Sequence, residues 1–209
     1  MKKFFVIIAV ALFSVSFVGC NKDDDKGDAN TGLATLTIGG TIMSDEAWFD
    51  PTDIAKVTAN IGGLYGYAIA QDTVINAEFY MILPALSDNL LLNNSFPATI
   101  TVSNKNVKLA VIPYLDTDTG YKIARTINQY EEMYWYANAD TNITGTAIEN
   151  DDTYKFIDSY NLKLKKGWNI VICERKRSEI EENTYNYTYK TGVKVTGLTW
   201  GLRKSLSSL

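Results

Sequence analysis

The stretch Leu162-Lys163-Leu164-Lys165-Lys166-Gly167-Trp168-Asn169-Ile170-Val171-Ile172-Cys173 decides how this chain is read. Leu162 and Leu164 fall on one side of an extended backbone and Lys163 and Lys165 on the other, the period-two pattern of a half-buried strand. Lys166-Gly167 is a turn signal, and the run after it is apolar and rich in β-branched residues. Two strands with a tight reversal between them make a β unit. Cys173 sits in an apolar strand, where a free thiol behaves as a small hydrophobe rather than a nucleophile.

The same pattern recurs on both sides of that unit. Leu33 to Ile38 and Val57 to Ile61 alternate apolar and polar positions. Leu64 to Ala70 and Val74 to Leu83 read as a hairpin closed by Gln71-Asp72-Thr73, and Ala98 to Val102 with Val107 to Leu115 as another across Ser103 to Asn106. Tyr121 to Ile127, Met133 to Ala137, Asn142 to Ile148, Tyr154 to Leu164, Tyr185 to Tyr189 and Val193 to Leu202 complete the series. Helical signals are few. Ile127, Tyr130, Met133 and Tyr134 recur at near-helical spacing, which allows one or two turns within Arg125 to Tyr136, and Arg175 to Glu182 reads as a charged loop. Short strands every ten or so residues, with thirteen Tyr and many Thr, Val and Ile, predict an all-β domain. The expected fold is an antiparallel β-sandwich of many short strands, with a lipocalin-like β-barrel as the alternative.

The N-terminus predicts an address. Met1-Lys2-Lys3 is basic, and Phe4 to Val18 is apolar apart from Ser14 and Ser16. That run has the length of a signal-peptide core and falls short of the roughly twenty residues a bilayer span takes. It ends at Phe17-Val18-Gly19-Cys20, where a small residue precedes a cysteine, as lipoprotein processing requires; Phe17 stands where such motifs usually carry leucine. Residues 1–19 are read as a signal peptide, Cys20 as the lipidated new N-terminus, 20–32 as a tether and 33–209 as one domain. The segment Asn21-Lys22-Asp23-Asp24-Asp25-Lys26-Gly27-Asp28 resembles the lysine-plus-acidic tether of surface-exposed lipoproteins of the Bacteroidota. That resemblance implies that Lys22, Asp23, Asp24 and Asp25 act as an export signal to the outer face of the outer membrane. A periplasm-facing lipoprotein with a solvated spacer is the alternative. In the last third, Tyr134-Trp135-Tyr136-Ala137, Leu164 to Asn169 and Trp200 resemble bacterial lipoproteins without an assigned activity.

Composition narrows the chemistry. With 209 residues and a net charge of −4, the chain has ample length for a buried core and no basic surface of the kind nucleic acid requires. There are two cysteines; lipidation of Cys20 would leave Cys173 without an intramolecular partner. Histidine is absent, which removes Ser-His-Asp and Cys-His catalysis and His-ligated zinc. Nothing calls for a cofactor.

Four groups of side chains are candidates for function. Asp116-Thr117-Asp118-Thr119-Gly120 opens as calcium loops often do, but an EF-hand would carry glycine sixth and glutamate twelfth; here glycine is fifth and Ile127 twelfth, so a strand-connecting turn is expected. Trp48 and Phe49, among Asp45, Glu46 and Asp50, could stack on a sugar ring or plug one end of the sandwich. Tyr130, Tyr134, Trp135 and Tyr136, beside Glu131 and Glu132, could line a glycan groove, although core packing with hydroxyls at the rim is the ordinary fate of such residues. Glu131/Glu132, Asp151/Asp152 and Glu181/Glu182 raise the question of a glycoside hydrolase, which needs two carboxyls facing across a cleft; neighbours on one strand point to opposite faces. The sequence therefore predicts a non-catalytic surface module that binds an extracellular glycan or protein. An accessory subunit of an outer-membrane complex and a carboxylate-based hydrolase are the alternatives.

Overall fold

The computed structural model describes residues 32–62 and 66–203. Cys20, Lys22, Asp23, Asp24, Asp25 and the rest of the leader and tether lie outside the described residues. The described chain is all-β. Its strands are β1 Leu36–Thr41, β2 Lys56–Ile61, β3 Tyr67–Thr73, β4 Glu78–Leu83, β5 Leu92–Asn93, β6 Ile100–Val102, β7 Lys108–Ile112 and β8 Leu115–Thr117. They continue as β9 Lys122–Ile127, β10 Tyr130–Ala137, β11 Thr141–Asn150, β12 Lys155–Leu164, β13 Gly167–Arg177, β14 Thr184–Lys190 and β15 Thr199–Leu202.

β1 and β4 pair into a small antiparallel sheet, and the other strands form one long sheet ordered β3-β2-β8-β9-β10-β13-β14-β12-β11-β6, with β7 also on β10, β5 on β7 and β15 on β9. The small sheet covers one face of the long one, as in a sandwich. Leu36, Ile38, Phe79 and Met81 from β1 and β4 join Val57, Ile112, Leu115, Tyr134, Tyr136, Trp168 and Trp200 in a single core. Each such buried large side chain stabilises the fold by about 2–3 kcal/mol relative to exposure. The two tryptophans also satisfy their N–H groups, Trp168 Nε1 on the Pro84 carbonyl at 2.8 Å and Trp200 Nε1 on the Gly39 carbonyl at 3.1 Å.

A second core lies on the opposite face of the long sheet. Met133, Trp135 and Ala137 of β10 meet Val171 and Cys173 of β13, Leu162 of β12, Ile143 of β11, Ile100 of β6 and Leu109 of β7 there. Strands from the β6 end of the pairing path meet β10 and β7 across this core, so that part of the sheet rolls upon itself. It does not close into a lipocalin-like barrel among the described residues, because β6 pairs with β11 and β7 with β10, not with each other. β10 is therefore buried on both faces, sending Tyr134 and Tyr136 to the first core and Trp135 to the second.

That double burial overturns the short helix allowed within Arg125 to Tyr136. A strand covered on both sides loses its apolar/polar alternation and can mimic helical spacing. Tyr130 pairs with Ile127 across a two-residue turn, made by Asn128 in the left-handed region (φ 50°). The expected hairpins also change partners. β3 pairs with β2 and β4 with β1, and the reversal between β3 and β4 is at Asn76-Ala77 (φ 53° and 62°) rather than at Gln71 to Thr73. β12 and β13, which define the unit first quoted, are not neighbours. β14 inserts between them, antiparallel to β13 and parallel to β12, so the long sheet is mixed rather than purely antiparallel.

Candidate functional site

The parallel pairing of β12 with β14 builds the surface of greatest chemical interest. Its register sets Phe156 beside Tyr185, Asp158 beside Tyr187 and Tyr160 beside Tyr189. Side chains two apart along a strand share a face, so these six residues form one strip. The rings touch along it: Phe156 and Tyr185 stack at 6.0 Å, Tyr187 and Tyr189 at 6.5 Å, and Tyr160 and Tyr189 at 4.8 Å with only 10° between their planes. Tyr185 is buried, whereas Phe156, Tyr160, Tyr187 and Tyr189 are half-buried and keep ring surface in contact with solvent.

At the Tyr160 end the strip runs into a groove of about 380 Å³. One wall is the face of β11 and β12 carrying Glu149, Asp158 and Tyr160; the other includes Phe96, from the loop between β5 and β6, and Val111 of β7. Phe96 packs edge-on to Tyr160 at 5.3 Å. Trp135 contributes to the lining, and its indole N–H is buried with no hydrogen-bond partner among the described residues. Such an unmade bond costs about 1–3 kcal/mol.

The acidic pair comes from neighbouring strands. Glu149 lies opposite Phe156, and Asp158 opposite Ala147. The two carboxyl-bearing residues are thus diagonal neighbours on one face, roughly 7–8 Å apart at the backbone. Burial, then the charge of Glu149, raises the Asp158 carboxyl above its ordinary value, while a hydrogen bond donated by the Tyr189 hydroxyl at 3.4 Å opposes the shift. Burial, then the Asp158 carboxylate, likewise holds the Tyr160 phenol well above its usual range, and burial pushes Tyr187 up to about 12. All three phenols that border the acid, Tyr160, Tyr187 and Tyr189, are hydrogen-bond donors at neutral pH.

The residues singled out from sequence are dispersed. Tyr134, Trp135 and Tyr136 are 3%, 5% and 6% exposed and belong to two cores on opposite faces. They form no surface aromatic cluster, although Trp135 reaches the groove from beneath. Tyr130 sits apart, its hydroxyl 3.5 Å from Glu174. Glu131 and Glu132 point to opposite faces and are occupied by arginines: Glu131 receives Arg175 at 2.6 Å and Arg203 at 2.9 Å, and Glu132 receives Arg125 at 2.9 Å and the Tyr134 hydroxyl at 2.8 Å. Asp151 caps the turn that joins β11 to β12 through the backbone N–H groups of Thr153 and Tyr154, and Glu181 holds Lys155 at 2.7 Å.

Asp116 and Asp118 both bind β2. Asp118 Oδ1 accepts from the backbone N–H groups of Ala55 and Lys56, and Asp116 Oδ2 from the Asn60 amide at 2.7 Å. Among the described residues no cluster of three His, Cys, Asp or Glu side chains is placed to hold a metal ion. Trp48 is 64% exposed while Phe49 is buried. With Tyr121 they make a second aromatic patch, Trp48 to Tyr121 at 5.8 Å, over a shallow depression of about 250 Å³. Asp50 and Asp53 line it, and Asp50 accepts from the Thr52 backbone N–H and hydroxyl.

The groove residues Phe96, Glu149, Asp158 and Tyr160 were missed from sequence. One signal was present, a lone Asp158 between Phe156 and Tyr160 on the same strand face. The partner strand and the parallel register that complete the site are not local features. No family model matches the chain, and no curated protein or solved structure matches it significantly.

Proposed function

We propose that this protein is a non-catalytic, lipid-anchored module of the bacterial cell surface that binds an extracellular glycan in the groove between β11/β12 and the loop carrying Phe96. The observation that carries the proposal is the half-exposed strip of Phe156, Tyr187, Tyr189 and Tyr160 running into a groove with an acidic wall. Aromatic faces bind the apolar faces of sugar rings, and convergent polar groups in an apolar cleft mark ligand sites. The address rests on the basic start, the apolar run ending at Gly19-Cys20 and the acidic tether. A glycan array probed with the purified chain tests the binding: retention on at least one oligosaccharide class, lost in Tyr160→Ala and kept in Trp48→Ala, is the expected result. A blank array, or binding that follows Trp48 instead, refutes the groove assignment. Membrane fractionation tests the anchor, because Cys20→Ser should release the chain or halt its maturation.

A second reading, glycoside hydrolysis, is favoured by the diagonal Glu149/Asp158 pair with its raised Asp158 carboxyl. Glycosidases hold the scissile bond between two carboxyls on opposite sides of it. Here both acids share one wall, which suits a negative binding surface better than a catalytic pair. Release of reducing ends from a bound oligosaccharide, abolished by Asp158→Asn, would reverse that preference.

A further inference from the structure

We infer that the groove selects glycans that carry a positive charge, namely amino sugars whose nitrogen is a free ammonium group. The inference rests on the glycan-binding reading and names the ligand class of the same site. Glu149 and Asp158 lie side by side on one wall, and no Lys or Arg is among the described residues that line the groove. Neither acid makes an ion pair among the described residues. Arg125, Arg175 and Arg203 are committed to Glu131 and Glu132 elsewhere. Two like charges held together beside apolar walls, with no counter-charge, leave a site whose missing component is a cation.

The lining decides which cation. A hard metal ion requires six or more oxygen ligands at short range; among the described residues no three His, Cys, Asp or Glu side chains are placed to hold one, and beside its two carboxylates the groove is lined by Phe96, Val111, Trp135 and Tyr160 with the neutral Asn93, Asn94 and Ser95. Aromatic rings beside carboxylates suit an organic ammonium group, which gains from the ring faces as well as from the acids. The partner is a chain of rings rather than a lone side chain because the platform is extended. From Tyr160 through Tyr189 to Tyr187, consecutive rings are 4.8 and 6.5 Å apart, a run of half-exposed rings that borders Asp158, the partner of Tyr187 across the β12–β14 pair. A ligand with repeated apolar ring faces can cover that run while one nitrogen meets Glu149 and Asp158. The unpaired Trp135 N–H beside the groove adds a donor for a sugar oxygen.

Titration calorimetry on the full purified chain tests this with three probes: the β-1,4-linked tetramer of glucosamine, the matching tetramer of glucose, and tetralysine. The glucosamine tetramer should bind about tenfold or more tightly than the glucose tetramer, the scale of one charge-assisted contact. Glu149→Gln with Asp158→Asn should erase that preference, while Tyr160→Ala should weaken both sugars. Equal or tighter binding of the glucose tetramer overturns the cation inference and leaves the glycan-binding reading standing. Tetralysine binding as tightly as the glucosamine tetramer overturns the sugar class in favour of basic peptides. Binding of none of the three, with circular dichroism showing an intact fold, overturns both the inference and the groove reading.

Discussion

Replacing Asp158 with Asn should make this protein more stable at pH 7, not less. Glu149 and Asp158 are diagonal neighbours on one face of the β11–β12 pair. At roughly 7 Å and an effective dielectric of about 20, two like charges repel by about 2.4 kcal/mol. Glu149 is exposed and Asp158 half-buried, so screening reduces this to about 0.5–1 kcal/mol. Relief of the partial burial of a charge adds to it with the same sign. Asn keeps an oxygen to accept from the Tyr189 hydroxyl. The expected gain is about 1 kcal/mol, or roughly 2–4 °C in Tm for a domain of this size. The pH dependence follows from a carboxyl raised in the folded state. The stability that goes with the protonated carboxyl is fully present below the unfolded pKa of about 3.9, where the wild type is as neutral as the variant, and is lost as pH rises through the higher folded value. Urea denaturation at pH 3 and pH 7 is the assay: the two proteins should match at pH 3 and separate at pH 7. A variant less stable at pH 7, or a difference that does not change with pH, would refute the reasoning.

Three further outcomes are expected. Glu131→Ala should lose about 3–5 kcal/mol in urea denaturation, because it removes the buried carboxylate that pairs with both Arg175 and Arg203; a loss below about 1 kcal/mol would show that the guanidinium groups are held as well without it. Cys173 should stay unreactive toward a thiol reagent at pH 8 until the protein unfolds, since burial, and after it the Glu131 charge, pushes its thiol up to about 12. Rapid labelling of the native protein would contradict that placement. Gly145→Ala should cost about 1–3 kcal/mol and weaken glycan binding along with stability. Gly145 sits at φ +128°, and an added Cβ would stand 2.4 Å from the Thr99 carbonyl, so β6 and the loop carrying Phe96 would have to move; unchanged stability and affinity would show that this wall yields freely.

The all-β class and most strands were legible because they depend on local alternation and turn residues. Leu162 and Leu164 are buried while Lys163 is exposed, and Lys122 to Ile127, Lys155 to Leu164 and Thr184 to Lys190 all fall where the pattern put strands. Partner choice was not legible. Lys165-Lys166-Gly167 fixes a change of direction, yet a reversal does not require the strands it joins to pair with each other. β14 takes the place between them because its alternating tyrosines cover both the Cys173 face of β13 and the Tyr160 face of β12. The same non-locality explains the site. Trp135 and its neighbours drew attention through density along the chain, but dense aromatic residues in a doubly covered strand are core residues.

Asp158 is the position where the local rules of this fold conflict. Strand propensity, ring packing and burial on this strip all favour an aromatic or β-branched residue beside Tyr187, and a second carboxylate at Glu149 worsens the mismatch. Sequences that specify one structure usually agree across levels, and departures from that agreement collect at functional sites. The buried acids elsewhere do not break the rule in the same way, since Glu131 and Glu132 each have arginine partners and draw stability from them. The contrast gives the stability and binding experiments a joint meaning. Removing Glu131 should destabilise the protein without bearing on ligand choice, whereas removing the Asp158 charge should strengthen the fold and weaken the preference for a cationic sugar. An acid retained only as a neutral filler would produce the gain in stability alone.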